Sequence, residues 1–244
     1  MKIIATIEAR MDSSRLPGKI LKPLLGKPML EQLIERVRRS KLIQEIVVAT
    51  TTAPNDAETV EACQKIGVKN FRGSSDDVLG RVLQAAKTNG ADLIVELTGD
   101  CPLLDPEVID SVIRKYLTGN FDYVSNIVER TFPRGMDTQI FSVKVLEQVS
   151  KVTQDPADRE NVSLYIYEHP EKFRLGNVAA PPELRRPELR LTVDTQNDLD
   201  LVRGIYAGLY PKRPDFSLSE VIRLLDENPE LKEMNAHIQQ KRVR

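Results

Sequence analysis

The segment Lys2-Ile3-Ile4-Ala5-Thr6-Ile7-Glu8 runs directly into Ala9-Arg10-Met11-Asp12-Ser13-Ser14-Arg15-Leu16-Pro17-Gly18-Lys19. The first part reads as a buried strand, an apolar run too short for a helix. The second is polar, basic and broken by Pro17-Gly18, which marks a loop. Helical spacing then begins with Met29, Leu30, Leu33, Ile34 and Val37. The same strand, loop and helix unit recurs downstream. Ile46-Val47-Val48-Ala49-Thr50 is a strand, and Pro54-Asn55-Asp56 opens a helix through Val60 and Cys63. Val68 to Phe71 is a short strand before the stripe Val78, Leu79, Val82, Leu83 and Ala86. Leu93-Ile94-Val95 is a third strong strand, and the helix after it has Asp105 as its N-cap and Pro106 in its first position. Continuous apolar strands alternating with helices give an α/β fold with a mainly parallel sheet covered on both faces.

The alternation loosens after Phe121. Segments 121–126, 136–143 and 173–178 read as strands of a mixed extension, with a helical stretch near 156–168 between the last two. Leu189 to Val193 reads as one more strand. A helix follows with Leu199, Val202, Ile205 and Leu209, then an amphipathic helix from Phe216 to about Asp226 and a frayed charged end, Lys241-Arg242-Val243-Arg244. The chain has neither an internal repeat nor a linker, so residues 1–244 form one domain. Within it, about 1–120 alternates regularly, about 121–215 carries the mixed extension, and about 216–244 is a helical tail.

Bulk properties exclude several classes. A net charge of −1 gives no global field toward nucleic acid or membrane, so anion binding must be local. No run approaches the ~18 apolar residues of a membrane span, and the first strand is too brief and charged for a signal peptide. Two cysteines in different contexts, Cys63 and Cys101, make a disulfide framework unexpected and point to a reducing, cytoplasmic compartment.

The loop after the first strand offers Arg10, Arg15 and Lys19, with Ser13 and Ser14 between them. Ligands of open α/β sheets bind beyond the carboxyl ends of the strands, where this loop lies. Fixed positive charge on a flexible backbone suits a triphosphate. A solvated basic loop is the plainer alternative, but three cations with Pro-Gly at this position favour the anion site. The loop is not a Walker P-loop, since neither Gly18-Lys19 nor Gly26-Lys27 is followed by Ser or Thr. Asp100 follows an apolar strand, and Asp194 closes Leu189–Val193 in the same way. Two carboxylates on strand ends of one sheet can converge on a hard cation such as Mg²⁺. Each can also be a helix cap, and Thr195 with Asp198 makes a reasonable cap pair. Asp198-Leu199-Asp200 resembles a D-x-D metal motif, but Leu199 belongs to a helical stripe, so its aspartates are expected on a solvated face. His169 and His237 have no companions for a zinc site.

Glu8-Ala9-Arg10 through Ser14-Arg15-Leu16-Pro17-Gly18-Lys19 resembles the nucleotide loop of the CMP-sugar synthetases, including the cytidylyltransferases for Kdo, those for acylneuraminate-like sugars and the spore-coat polysaccharide branch. Arg72-Gly73-Ser74-Ser75-Asp76-Asp77-Val78-Leu79 resembles the segment bordering the cytidine. Leu97-Thr98-Gly99-Asp100-Cys101-Pro102-Leu103 resembles the metal-site turn, and Pro133-Arg134-Gly135-Met136-Asp137 and Leu191-Thr192-Val193-Asp194-Thr195 match later motifs.

The resemblance covers most of the chain and implies a Rossmann-like, GT-A-like nucleotidyltransferase fold with CTP as substrate, with about 1–120 the nucleotide-binding half and about 121–215 the acceptor-binding and dimerisation half. Ala9, Arg10, Ser14, Arg15, Gly18, Lys19, Arg72, Ser74, Thr98 and Asp100 are then the nucleotide-binding residues. Asp100 and Asp194 are the ligands of Mg²⁺, and Arg10, Arg15, Lys19, Asp100 and Asp194 form the catalytic set. Arg134 and Asp137 are expected to face an acidic sugar acceptor, with Arg159 a further candidate for its carboxylate and a homodimer as the assembly. Thr98 departs from the Kdo enzymes, which usually have Gln there. Gly99-Asp100 departs from the sialate enzymes. A uridylyl- or guanylyltransferase, a GT-A glycosyltransferase or a non-catalytic nucleotide-binding homologue would share parts of this pattern.

Overall fold

The computed structural model describes residues 1–240, so the charged end at 241–244 lies outside the described residues. The strands are β1 (Ile3–Glu8), β2 (Pro23–Leu24), β3 (Lys27–Pro28), β4 (Glu45–Thr51), β5 (Lys69–Gly73), β6 (Leu93–Thr98), β7 (Tyr123–Ser125), β8 (Gln139–Ser142) and β9 (Leu175–Asn177). Seven make one sheet in the order β5-β4-β1-β6-β8-β7-β9, while β2 and β3 form a separate small hairpin. The first four of that order are mutually parallel, and β8 is antiparallel to both β6 and β7. The expected mainly parallel sheet with a mixed extension is therefore present.

Between the strands run α1 (Met29–Val37), α2 (Ala57–Ile66), α3 (Val78–Thr88), α4 (Pro106–Thr118) and α5 (Val143–Val152). They are followed by α6 (Pro156–Glu160), α7 (Leu164–Glu168), α8 (Gln196–Leu209), α9 (Leu218–Glu227) and α10 (Pro229–Glu233). Alternate residues of β1 serve opposite faces. Ile3, Ala5 and Ile7 join a core with α1, α4, α8 and α9, and Ile4 joins a second core with α3, α5 and α7. Asp105 caps α4 through the Glu107 N–H, with Pro106 in the first turn, as its sequence implies.

Four expectations are corrected. Leu189–Val193 is extended but is not a strand of the sheet. β8 occupies the place beside β6, so this segment straps across loops instead, with hydrogen bonds Arg134 N–H to Leu189 O (2.9 Å), Leu191 N–H to Arg134 O (2.8 Å) and Val193 N–H to Asp100 O (2.8 Å). The stretch 156–168 is two short helices, since Asn161 leaves the helical region at φ −116°, ψ 89°. The unanticipated α5 starts at Ser142, whose hydroxyl caps Val145 N–H and whose helix buries Leu146 and Val149. Asp198 is fully buried rather than solvated; it completes a capping box with Thr195 and takes the Arg190 Nε–H at 2.9 Å.

Candidate active site

In register, Glu8 of β1 lies opposite Thr98 of β6, so the two central strands end together. Their following loops therefore run side by side. Gly99 makes this possible: its N–H donates to Glu8 O at 2.8 Å, and a Cβ there would fall 2.8 Å from the same oxygen. The loop after β1 is also tied to the loop after β4, where buried Asp56 takes the Met11 N–H at 2.7 Å. Gly18 N–H closes the loop onto Met11 O at 2.9 Å, and Lys19 then enters a short 3-10 turn, Lys19–Leu21.

These connections point the Lys19 ammonium at three oxygens. Its Nζ donates to Asp100 Oδ2 (2.9 Å), Asp194 Oδ1 (2.9 Å) and the Val193 carbonyl (2.8 Å). Burial pulls this ammonium down, but Asp100 and then Asp194 outweigh it and hold it above the usual lysine range. Asp194 Oδ2 receives Arg15 at 3.0 Å and Arg190 at 2.6 Å. Burial raises the Asp194 carboxyl, yet Lys19 and Arg15 prevail and keep it below the ordinary carboxylate range. Thr98 donates to Asp100 Oδ1 at 2.7 Å. The two aspartates thus converge as the sequence implies, although Asp194 arrives on a strap rather than on a strand of the sheet.

The constellation lies in a cleft of about 1360 Å³. Ala9, Arg10, Ser14, Arg15, Lys19, Thr98, Asp100, Arg134, Asp137 and Asp194 all line it. Gly18, Arg72, Ser74 and Arg159 are not among its lining residues. Arg72 donates to the carbonyls of Thr51 (2.8 Å) and Ala53 (2.7 Å), where it braces the loop after β4. Ser74 Oγ accepts from the Asp76 and Asp77 N–H groups. Arg159 is committed to an ion pair with Asp77, the N-cap of α3. Asp137 is held by both terminal nitrogens of Arg130, at 2.7 and 2.8 Å. Arg134 has no ion-pair or side-chain hydrogen-bond partner among the described residues; burial, then Arg130, lowers its pKa. Gly135, at φ 98°, lets this loop touch the strap, because a Cβ would lie 2.6 Å from the Leu191 carbonyl carbon.

From residue 4 to residue 243 the chain matches the model of the cytidylyltransferase family. The chain belongs to that family. It is accordingly a CTP-dependent nucleotidyltransferase. The spore coat polysaccharide biosynthesis protein SpsF of Bacillus subtilis (strain 168) is 36% identical over 235 residues, 93% of this chain and 95% of that protein. A cytidylyltransferase structure from Leptospira borgpetersenii serovar Hardjo-bovis (strain JB197) superposes with a TM-score of 0.90 at 36% identity, over 99% of both chains. A CMP:2-keto-3-deoxy-manno-octonic acid synthetase, solved with CTP, shares the fold with a TM-score of 0.65 at 22% identity, over 85% of this chain and 99% of its own.

Sequence reading missed several residues of this cytidylyltransferase cleft: Glu8, Arg81, Glu96, Arg130, Gln139 and Ser163 line it too, and Arg190 orients Asp194. For Glu96 a local signal existed, since a lone acid inside the apolar run Leu93–Leu97 is costly unless it serves something.

Proposed function

We propose that the enzyme transfers CMP from CTP to a hydroxyl of an acidic sugar, of the keto-deoxy or nonulosonate kind, and releases pyrophosphate, for a cell-surface polysaccharide. The observation that carries this reading is the convergence of Asp100 and Asp194 on Lys19 beneath the basic loop of Arg10 and Arg15. The acceptor oxygen bonds to the α-phosphorus as the bond to pyrophosphate breaks, and the hydroxyl proton is released. Lys19 and Arg15, now held by carboxylates, turn to the β- and γ-phosphates and offset the charge of the departing pyrophosphate. Arg10 stands nearer the α-phosphate, and the Ser14 hydroxyl and loop amides add donors. Asp100 and Asp194 fit Mg²⁺ by their chemistry, two hard carboxylates already gathered around one positive charge, and would be its protein ligands. When bound, that ion supplies Lewis-acid polarisation to the phosphate and acceptor oxygens.

Support for an acidic acceptor comes from Arg134, a cleft guanidinium free to form a bidentate pair with a carboxylate. The assembly proposed is a homodimer, since an isologous patch is the simplest oligomer to build. A cytoplasmic location agrees with the two free thiols of Cys63 and Cys101. The test is pyrophosphate release from CTP and Mg²⁺ over a panel of sugar acids and their neutral counterparts. Release that requires the acid is expected; release only with neutral sugars would sink the acceptor assignment.

A further inference from the structure

Two acids of the cleft have no part in the transfer just described. Glu8 closes β1, Glu96 lies within β6, and both line the cleft. Register sets Glu8 opposite Thr98 and Thr6 opposite Glu96. The two carboxylates therefore leave the same face of neighbouring strands, offset by two residues, or about 6–7 Å. This face carries the second core, so the acids sit where that core meets the cleft, next to Arg81 of α3 and Ser163 at the start of α7.

Neither acid is fully satisfied among the described residues: Ser163 and Gln139 approach Glu96, but one oxygen of each acid is left without a donor. Glu96 is 5% exposed and its Oε2 is buried without a hydrogen-bond partner; Glu8 Oε1 is likewise buried and unpartnered. Two of the nearby donors are turned elsewhere. The hydroxyls of Tyr123 and Ser163 both point at Gln139 Oε1, each at 2.6 Å. Arg81 gives Nη1 to the Ser74 carbonyl and keeps a buried Nε without a partner; it forms no ion pair with Glu8, although its charge is felt there. Once ionised, carboxylate oxygens only accept, and a buried acceptor without a donor carries its full desolvation cost. One oxygen of each acid lacks a donor, and neither acid has an ion-pair partner among the described residues. A hydroxyl brings one donor and no charge, whereas an ammonium brings three donors and the charge.

We propose that Glu8 and Glu96 form a subsite for a protonated amine on the acceptor sugar. The inference rests on the cleft being the transferase site, and it narrows the acceptor to an amino sugar acid whose carboxylate meets Arg134. The subsite is separate from the Asp100–Asp194 pair, whose charge Lys19 already offsets.

The test measures binding by calorimetry or ligand-observed NMR. The probes are glucosamine against glucose, galactosamine against galactose, and glucosaminic against gluconic acid, with and without CTP and Mg²⁺. At least one amine should bind about tenfold or more tighter than its hydroxyl counterpart, the value of one charge-assisted contact. That ratio should fall to about one in Glu96→Gln and in Glu8→Gln, with the CTP affinity of both variants unchanged. Should one variant fail to fold, the other carries the same reading. A ratio of about one for every pair in the wild type, or a ratio that survives both substitutions, overturns the subsite. Failure of the wild type to bind CTP would instead sink the transferase reading, while the amine preference is still read from the nucleotide-free samples.

Discussion

Replacing Lys19 with methionine keeps the length of the side chain and removes its charge and its three donors. In the folded protein those donors span 2.8–2.9 Å to Asp100, Asp194 and Val193. Removing one partner of a buried ion pair costs about 3–5 kcal/mol when nothing else compensates. Compensation exists here: Asp194 keeps Arg15 and Arg190, and the Asp100 side chain is 24% exposed. The expected loss is therefore at the lower end, about 2–3 kcal/mol, or roughly 5–10 °C in Tm for a chain of this size. Thermal unfolding in EDTA reads it directly. As a control, Lys41→Met removes a pair with side chains 75% and 64% exposed, and should cost less than about 1 kcal/mol. Mg²⁺ gives a second reading. In the wild type the ammonium competes for the carboxylates that would bind the ion, so Lys19→Met should gain more Tm from millimolar Mg²⁺ than the wild type does. A variant as stable as wild type in EDTA, with no larger response to Mg²⁺, would refute the picture of Lys19 as the charge that holds the two aspartates together.

The other predictions concern Glu96 and Arg134. Burial raises the Glu96 carboxyl from 4.5 to about 7 in the folded protein. Below about pH 4.5 both states hold the proton and nothing is lost; between there and about pH 7 only the folded state holds it, so stability falls as pH rises. The full cost, on the order of 3 kcal/mol, is present above that window. Glu96→Gln should therefore gain stability over wild type progressively from about pH 5 to about pH 8 in urea unfolding, and a pH-independent difference would refute this. Arg134→Ala should raise the acceptor KM by about one to two decades and leave the CTP KM unchanged, in steady-state pyrophosphate release. Loss of CTP affinity instead would put Arg134 on the nucleotide side.

The parallel half of the sheet was legible because its strands are continuous apolar runs, and buried strands between helices leave few other folds. The basic loop and the Gly99-Asp100 turn were legible for the same reason, since both follow such runs directly. Leu189–Val193 was misread because an extended apolar run looks the same whether its partners are a strand or two loops; only the occupancy of the place beside β6 by β8 decides between them. Arg72 and Arg159 were placed at ligands because the sequence does not reveal that their guanidiniums are already taken, by two carbonyls and by an aspartate 82 positions away. The bidentate hold of Arg130 on Asp137 was hidden likewise, being a matter of loop geometry across seven residues. Asp198 went wrong by a different route. Helical periodicity assigned it to solvent, while the strap brought buried Arg190 down onto it.

The most direct measurement of the central claim is ³¹P NMR of the protein incubated with CTP, Mg²⁺ and a sugar acid. The account predicts that free pyrophosphate and a CMP phosphodiester appear together in equal amounts. It also predicts that Asp100→Asn and Asp194→Asn, both folded, abolish the two signals. Release of inorganic phosphate with CDP left behind, or wild-type turnover by either variant, would contradict it.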